Sequence, residues 1–321
     1  MSRPVLLALR ALGLGDLLTA APGLRGLAAS FPGHRRLLAC PSVLAPLVET
    51  IGAGFETLPA GELEPLSVRR PDVAVNLHGR GPESHRILMA TEPGRLIAFE
   101  QPTVPESWGQ PLWRPDEHEV RRWCRLLAES GLAADPADLI LDVNRLPAAP
   151  AGTAGATLIH PGAKSGARRW PVEKWALVAA GEARRGCRVL VSAGPGEHSL
   201  GRRLLELAGL PGDHLLHGLA LDRLASAVAV CSRVVCADTG LAHLATATRT
   251  PSVVLFGPTP PGHWGPPANA AHRAIWRGPA GDPLAAEPHP GLLSIDPAEV
   301  LAALGELPQR SAAALATNPA G

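Results

Sequence analysis

The stretch VLLALRALGLGD, residues 5–16, indicates the fold class. The apolar run 5–8 predicts a buried strand, and the loop 10–16 leads into a predicted helix over residues 17–30, whose apolar positions recur at helical spacing. Asp16 is well placed as the N-cap of that helix. A strand joined by a short loop to a helix is the repeating unit of a parallel α/β sheet.

The same alternation of apolar runs and helical patterns continues along the chain. It is interrupted once, by NRLPAAPAGTAG at residues 144–155, which is rich in Pro, Ala and Gly and has the composition of an interdomain linker. The chain is therefore predicted to fold as two doubly wound α/β domains, residues 1–150 and 151–310. A flexible tail is predicted for residues 311–321. Such sheets bind ligands outside the carboxyl ends of their strands.

The composition of the 321-residue chain excludes several classes of protein. Thirty Lys and Arg against 29 Asp and Glu leave a formal charge of +1, and there is no Tyr, so nucleic acid is not an expected partner. Five dispersed cysteines without a CxxC pair indicate reduced thiols in the cytoplasm. The first residues lack a signal-peptide cleavage site, and no uncharged apolar run reaches about 18 residues, so no membrane span is expected.

The loop after the first strand carries Arg10, Gly13, Gly15 and Asp16. Its two glycines allow a tight turn close to a ligand. A dinucleotide fingerprint would need a third glycine where Leu18 stands, so that interpretation is weak. Asp16 has two open roles: a plain helix cap, or a carboxylate that accepts a proton from a substrate hydroxyl.

Two further loops follow predicted strands of the second domain. HPGAKSGARRWP, residues 160–171, brings three cations and two glycines to a strand end just before a helix. This loop is either a solvated basic loop or a phosphate-binding site. We expect Gly162 and Gly166 to let the backbone approach a ligand. Glu197, in the turn GPGE at 194–197, is a candidate hydrogen-bond acceptor for ribose hydroxyls. The alternative is that these residues only form an exposed turn.

The segment ADTGLAH, residues 237–243, follows another apolar strand and opens a helix. Its amides point out of a positive helix end, so the turn predicts a second anion cradle, and a capping role for Asp238 and Thr239 is compatible with it. The cysteines and histidines show no zinc-ligand spacing, so no metal site is predicted.

Five motifs in this order resemble glycosyltransferase family nine, which includes the ADP-heptose:lipopolysaccharide heptosyltransferases. They are RxxGxGD, HPGA with RRWP, GPxE, DTGLAHLA and LFGPTxPxxWGP, and they extend from about Leu6 to Pro266. The resemblance implies a GT-B fold: an N-terminal acceptor-binding and a C-terminal donor-binding Rossmann-like domain that face a central cleft.

The resemblance also implies roles for single residues. Asp16 matches the general base, on an acceptor-side loop with Arg10, Gly13 and Gly15, and Arg168 matches a lysine that neutralises the donor diphosphate. Arginine keeps the charge and adds bidentate phosphate binding. The implied donor-binding residues are His160, Gly162, Ala163, Lys164, Arg168, Glu197, Asp238, Thr239, Gly240 and His243.

The activity implied is transfer of a heptose or related sugar, with inversion and without a metal or other cofactor, from a nucleoside-diphosphate sugar to a glycan or glycolipid hydroxyl. ADP is the expected nucleotide. The expected location is the cytoplasm, with peripheral contact at the inner face of the plasma membrane through the acceptor. Two alternatives stay open, an NAD(P)-dependent oxidoreductase and a non-catalytic nucleotide-sugar-binding protein.

Overall fold

The opening stretch forms a strand, a tight loop and a helix, as predicted. In the computed structural model, which describes residues 3–310, the chain divides into two units between Asp142 and Val143. The predicted boundary at 150/151 lies a little further along the Pro- and Ala-rich segment. The tail predicted for residues 311–321 lies outside the described residues.

The first unit is one parallel sheet of five strands with helices packed around it. Its strands are β1 (Val5–Leu9), β2 (Arg35–Cys40), β3 (Glu56–Pro59), β4 (Val73–Asn76) and β5 (Arg95–Ile97). Its helices are α1 (Leu14–Ser30), α2 (Ala45–Val48), α3 (Glu83–Met89) and α4 (Glu119–Glu129). The strand order is β3-β2-β1-β4-β5, so connections leave β1 toward opposite edges of the sheet and the switch point lies between β1 and β4.

The second unit repeats this arrangement with six parallel strands. They are β6 (Thr157–His160), β7 (Val189–Ala193), β8 (Leu215–His217), β9 (Arg233–Ala237), β10 (Ser252–Phe256) and β11 (His272–Trp276). The helices are α5 (Val172–Arg184), α6 (His198–Ala208), α7 (Leu221–Val230), α8 (Gly240–Ala247), α9 (Pro261–Trp264), α10 (Pro290–Leu293) and α11 (Pro297–Glu306). The order β11-β10-β9-β6-β7-β8 places the switch point between β6 and β9.

The central strands of each sheet are buried on both faces, which explains why they form continuous apolar runs in the sequence. Leu7 of β1 pairs with Leu37 of β2 and Ala74 of β4, and all three are buried. In the second unit Ile159, Val191 and Val235 belong to a core that also holds Trp175. The fold class predicted from the sequence, two doubly wound Rossmann-like domains, is confirmed.

Several local predictions need correction. Asp16 is not the N-cap of α1: Gly13 holds that position in an extended conformation, and the Asp16 carboxylate Oδ2 accepts a hydrogen bond from the Gly13 amide at 3.1 Å. The sequence pattern of residues 43–51 favours one continuous helix, but the structure has α2 with a short 3₁₀ turn on each side, and Pro46 stands in the first turn of α2. Strands β3 and β11 were not predicted.

No helix within residues 3–310 is long and apolar enough to cross a membrane.

Candidate functional site

Motif-bearing loops follow four adjacent central strands of the second unit, β10, β9, β6 and β7. All strands of this sheet are parallel, so these loops emerge at one edge. His160, the last residue of β6, pairs with Cys236 of β9, which places the loop of residues 160–171 beside the turn that starts at Asp238. Ligands of doubly wound sheets bind at this edge, next to the switch point.

His160 and Glu197 form the β6–β7 side of this edge. The His160 Nδ1 lies 3.1 Å from both the carbonyl oxygen and the hydroxyl oxygen of Ser192. Burial lowers the pKa of His160, and the nearby Glu197 carboxylate opposes that shift. An imidazole with a lowered pKa is neutral at pH 7, so His160 contributes hydrogen bonds to the site rather than positive charge.

Gly162 lies directly against the Glu197 carboxylate. A Cβ at position 162 would lie 2.1 Å from Glu197 Oε2, the same oxygen that accepts a hydrogen bond from the Gly194 amide at 2.9 Å. Any larger residue at 162 would therefore displace that carboxylate. The structure fixes one oxygen of Glu197 within its own turn, so a ribose contact would involve the other.

Arg168 contributes a cation at the other side of the loop. It ends a short 3₁₀ turn, Gly166–Arg168, and its Nη1 donates to the carbonyl oxygen of Asp238 at 3.1 Å. Its Nε is buried and has no hydrogen-bond partner among residues 3–310. An unsatisfied buried donor on a guanidinium is costly unless an anion binds it. Arg168 is thus fixed beside the β9 turn with hydrogen-bonding capacity to spare.

The other two cations of this loop are placed differently. Arg169 is exposed, and its Nε donates to the carbonyl of Ala163 at 3.0 Å, which links the two ends of the loop. Lys164 is exposed, while Gly162 and Ala163 are buried. Of the three cations, Arg168 is the one held against the Asp238 turn.

The turn after β9 presents the start of a helix. Thr239 has an extended backbone, φ −144° and ψ 172°, and is the N-cap of α8, which starts at Gly240. Its side chain makes no capping hydrogen bond, so of the capping role considered for Asp238 and Thr239 the structure shows the N-cap position of Thr239 but no side-chain cap. First-turn amides at a helix N-terminus are positive and attract anions. His243, one turn into α8, packs edge-on against Trp264 with ring centroids 5.7 Å apart.

A segment that the sequence analysis missed supports the Arg168 loop. The Ala285 carbonyl accepts hydrogen bonds from the Ala167 amide at 2.9 Å and the Ser165 hydroxyl at 3.1 Å, and the His289 amide donates to the Ala167 carbonyl at 3.1 Å. A Cβ at Gly166 would lie 1.5 Å from the carbonyl oxygen of Ala286. The prediction that Gly166 serves approach to a ligand is therefore corrected: Gly166 is required where the chain packs on itself.

In the first unit, Arg10 and Asp16 meet beside the β1–β4 switch point. Arg10 is 1% exposed, and its Nη2 contacts Asp16 Oδ1 at 3.2 Å while its Nε donates to the Asp16 carbonyl at 3.0 Å. The Asp16 side chain keeps 27% of its surface exposed. Gly15 lies in the first turn of α1. Each carboxylate oxygen of Asp16 thus has one partner, Arg10 for Oδ1 and the Gly13 amide for Oδ2, while part of the side chain stays exposed, which suits a base that must reach a substrate.

His78, which follows β4, is a site candidate that the sequence analysis missed. The Arg10 Nη1 donates to the carbonyl of Leu77, the residue just before it. The His78 Nδ1 is buried without a hydrogen-bond partner among the described residues. Burial lowers the pKa of His78, Arg10 lowers it further, and Glu62 and Asp16 oppose the shift. The only signal in the sequence was its position in a polar loop after a buried strand.

With this geometry in place, comparisons with known proteins decide the family. The sequence profile of "Glycosyltransferase family 9 (heptosyltransferase)" matches residues 110–281, more than half of the chain. The chain belongs to glycosyltransferase family 9.

Curated relatives within family 9 match part of the chain. Lipopolysaccharide heptosyltransferase 1 of Pseudomonas aeruginosa is 33% identical over 171 residues, 52% of this chain and 45% of the relative. Lipopolysaccharide heptosyltransferase 2 of Escherichia coli K12 is 29% identical over 160 residues, 46% of this chain and 45% of the relative. The matched stretches thus span a little less than half the length of these relatives.

Solved structures extend the likeness in fold to both units. The E. coli ADP-heptose lipopolysaccharide heptosyltransferase II superimposes with a TM-score of 0.71 at 20% identity, covering 94% of this chain and 97% of that one. The E. coli heptosyltransferase WaaC, solved with ADP-2-deoxy-2-fluoro heptose, gives a TM-score of 0.70 at 18% identity, covering 94% and 99%. These likenesses confirm the GT-B fold class.

The burial of Asp238 is expected to make the stability of the second unit depend on pH. The residue is 6% exposed, and burial raises the pKa of its carboxyl to about 6 against the opposing charge of Arg168. A carboxyl that holds its proton more tightly when folded makes stability fall as pH rises between its unfolded and folded pKa values, here from about 4 to about 6.

We therefore expect Asp238→Asn to gain stability relative to the wild type across that window. The free energy of unfolding of Asp238→Asn minus that of the wild type should grow by on the order of 1–3 kcal/mol between about pH 4 and pH 7, and should then stay constant. Urea titrations at half-unit pH steps measure it. Asp213→Asn, at an exposed position, should show no such trend, and a pH-independent difference for Asp238→Asn would contradict the burial argument.

Proposed function

We propose that this family 9 protein is an inverting glycosyltransferase that moves a heptose or related sugar from a nucleoside-diphosphate sugar, with ADP as the nucleotide, to a hydroxyl of a glycan or glycolipid. The observation that carries the proposal is the buried, unpartnered Nε of Arg168 beside the uncapped first turn of α8. A cation and a helix N-terminus side by side favour a diphosphate. The similar structures of E. coli heptosyltransferase WaaC, solved with ADP and with ADP-2-deoxy-2-fluoro heptose, support the choice of nucleotide.

The reaction we propose is a single displacement. The acceptor oxygen forms a bond to the anomeric carbon as the bond from that carbon to the β-phosphate oxygen breaks, and the nucleoside diphosphate leaves. Asp16 takes the proton of the acceptor hydroxyl. Arg168 and the amides of the α8 first turn stabilise the charge that develops on the leaving group, so no metal is required for this step.

The remaining donor contacts follow from the same edge of the second sheet. We propose that Asp238 and His243 contact the sugar and diphosphate with Thr239 and Gly240. His160, Gly162, Ala163, Lys164 and Glu197 complete the donor side. We assign the acceptor to the first unit, at Asp16 with Arg10, Gly13 and Gly15. The names of the curated relatives support lipopolysaccharide or a related cell-envelope glycan as the acceptor class. We propose that the protein acts in the cytoplasm and contacts the membrane peripherally through that acceptor.

Two observations count against a nicotinamide enzyme. Position 18, where the third glycine of a dinucleotide fingerprint would stand, holds a leucine that is only 2% exposed. Strand β2 ends at Cys40 and is followed by Pro41, so there is no acidic residue at its end to receive a ribose hydroxyl.

A thermal-shift screen of ADP, UDP, GDP, ADP-sugars and NADH, each with and without a chelator, tests the proposal. At a hundredfold excess over Kd a ligand adds about 2.7 kcal/mol of stability, which raises Tm by several degrees. We expect ADP and an ADP-sugar to raise Tm equally in both conditions. A shift with NADH alone would favour an oxidoreductase, and donor binding without turnover on any acceptor would favour a non-catalytic binding protein.

A further inference from the structure

Arg10 is shared by two carboxylates from distant parts of the first unit. Its Nη2 contacts Glu119 Oε1 at 2.9 Å as well as Asp16 Oδ1 at 3.2 Å. Glu119 is the first residue of α4 and is 4% exposed. Because Asp16 Oδ1 and Glu119 Oε1 both contact Arg10 Nη2, these two oxygens lie within about 6 Å of each other. The negative charge of Glu119 therefore acts directly on the surroundings of Asp16.

Glu119 is held in place from several sides. Its Oε1 accepts a hydrogen bond from Trp123 Nε1 at 3.0 Å, and its Oε2 pairs with Arg122. The Arg10 guanidinium lies over the Trp123 ring, 4.7 Å from its centroid. Two guanidinium groups and two carboxylates thus balance in charge, and Glu119 joins the two cations. Of the four charged groups, Asp16 is the one with substantial exposure.

The arrangement limits how strongly Arg10 holds Asp16. A guanidinium with a single carboxylate partner tends to pair with both its oxygens, in a strong two-bond geometry that lowers the basicity of the carboxylate. Here Arg10 instead makes one 3.2 Å contact to the Asp16 carboxylate, through an Nη2 that also contacts Glu119 and the Thr19 hydroxyl. Its Nε and Nη1 donate to the carbonyls of Asp16 and Leu77.

We propose that Glu119 is a positioning residue for the transfer reaction: it holds Arg10 in an orientation that contacts only Oδ1 of the Asp16 carboxylate, so that Oδ2, which accepts one hydrogen bond from the Gly13 amide, is not paired with a cation and can act as the base. The proposal rests on the proposed function of Asp16. The charged and titratable groups around Asp16 are Arg10 from its own loop, Glu119 from α4 and His78 after β4, and the Glu62 carboxylate after β3 acts on His78. Among them, Glu119 is the anion in contact with Arg10.

Glu119→Gln is the first test, with kcat and donor KM measured from about pH 5 to pH 9. We expect kcat to fall roughly tenfold with donor KM unchanged, because donor binding belongs to the second unit. We also expect the acidic limb of the pH profile to move to lower pH, because Arg10 then faces Asp16 without a competing carboxylate. Glu119→Asp keeps the charge, so it should keep the wild-type acidic limb while kcat falls a few-fold.

Glu117→Gln is the matched control. Glu117 pairs with Arg125 in the same region at 2.8 and 2.9 Å, is similarly enclosed and does not contact Arg10. We expect the Glu117→Gln substitution to lower the stability of the protein without changing kcat or the pH profile. Equal kcat values and profiles for Glu117→Gln, Glu119→Gln and the wild type would overturn the proposal. If Glu119→Gln does not fold, wild-type kcat in Glu119→Asp would overturn it.

A crystal structure of Glu119→Gln gives a readout that does not depend on activity. We expect Arg10 to turn toward Asp16 and pair with both its carboxylate oxygens. An unmoved Arg10 would overturn the positioning role even if turnover has not been found. Conversely, a wild-type protein that turns over no donor, with Arg10 displaced in the variant, would contradict the proposed function and leave the positioning geometry supported.

Discussion

Asp16→Asn is expected to lower turnover by roughly 10²-fold or more while the affinity for the nucleotide donor stays unchanged. The amide cannot take the proton of the acceptor hydroxyl. Its carbonyl oxygen can still accept the hydrogen bond from the Gly13 amide, which lies 3.1 Å from the carboxylate in the wild type, so the start of α1 should be preserved.

Single-turnover rates at saturating donor, with calorimetry for donor affinity, measure the Asp16→Asn effect. Asp213→Asn, an exposed aspartate of the second unit, is the matched control and should retain wild-type turnover. Wild-type turnover in Asp16→Asn would remove Asp16 from the role of base. A parallel loss of donor affinity would indicate that the variant acts on binding and not on proton transfer.

Arg168→Ala is expected to weaken binding of ADP by roughly 10- to 100-fold. The substitution removes the buried Nε donor that has no partner within residues 3–310, together with the bond that ties the loop to the Asp238 carbonyl at 3.1 Å. A hydrogen bond to a charged group is worth more than one between neutral groups, which gives the size of the loss.

Calorimetric titration with ADP measures the Arg168 effect. Arg168→Lys keeps the charge and should retain most of the affinity, although it loses the bidentate geometry. Arg203→Ala, at an exposed position of α6, removes the same charge from the surface and should bind ADP as the wild type does. Unchanged affinity in Arg168→Ala would exclude the diphosphate role.

The fold was predictable because it depends on periodicity. Residues 5–30 have an apolar strand, a glycine-containing loop and a helical pattern, and the same alternation of strand and helix patterns recurs in both halves of the chain. Strand β3 was missed because its four residues, ETLP, are only partly buried and carry no continuous apolar run. The start of α1 was misplaced because Gly13 adopts the N-cap conformation without a capping side chain of its own.

The candidate site was predictable only where its residues belong to short motifs that follow strands of the sheet. Arg168, Asp238 and Gly240 stand at strand ends in short motifs, so topology alone brings them to one edge of the sheet. Glu119 contacts Arg10 across 109 positions of the chain, and Ala285 supports the Arg168 loop across a similar separation. No local pattern marks such contacts, because they depend on how helices and loops pack around the finished sheets.

The anomeric configuration of the transferred sugar tests the central claim most directly. The wild-type protein is incubated with an ADP-sugar, an acceptor glycan and a chelator, and the product is followed by ¹H NMR together with ADP release. A single displacement without a metal predicts that the product has the configuration opposite to that of the donor, that one ADP is released for each sugar transferred, and that the chelator has no effect. Retained configuration, or activity lost in chelator and restored by a divalent cation, would contradict it.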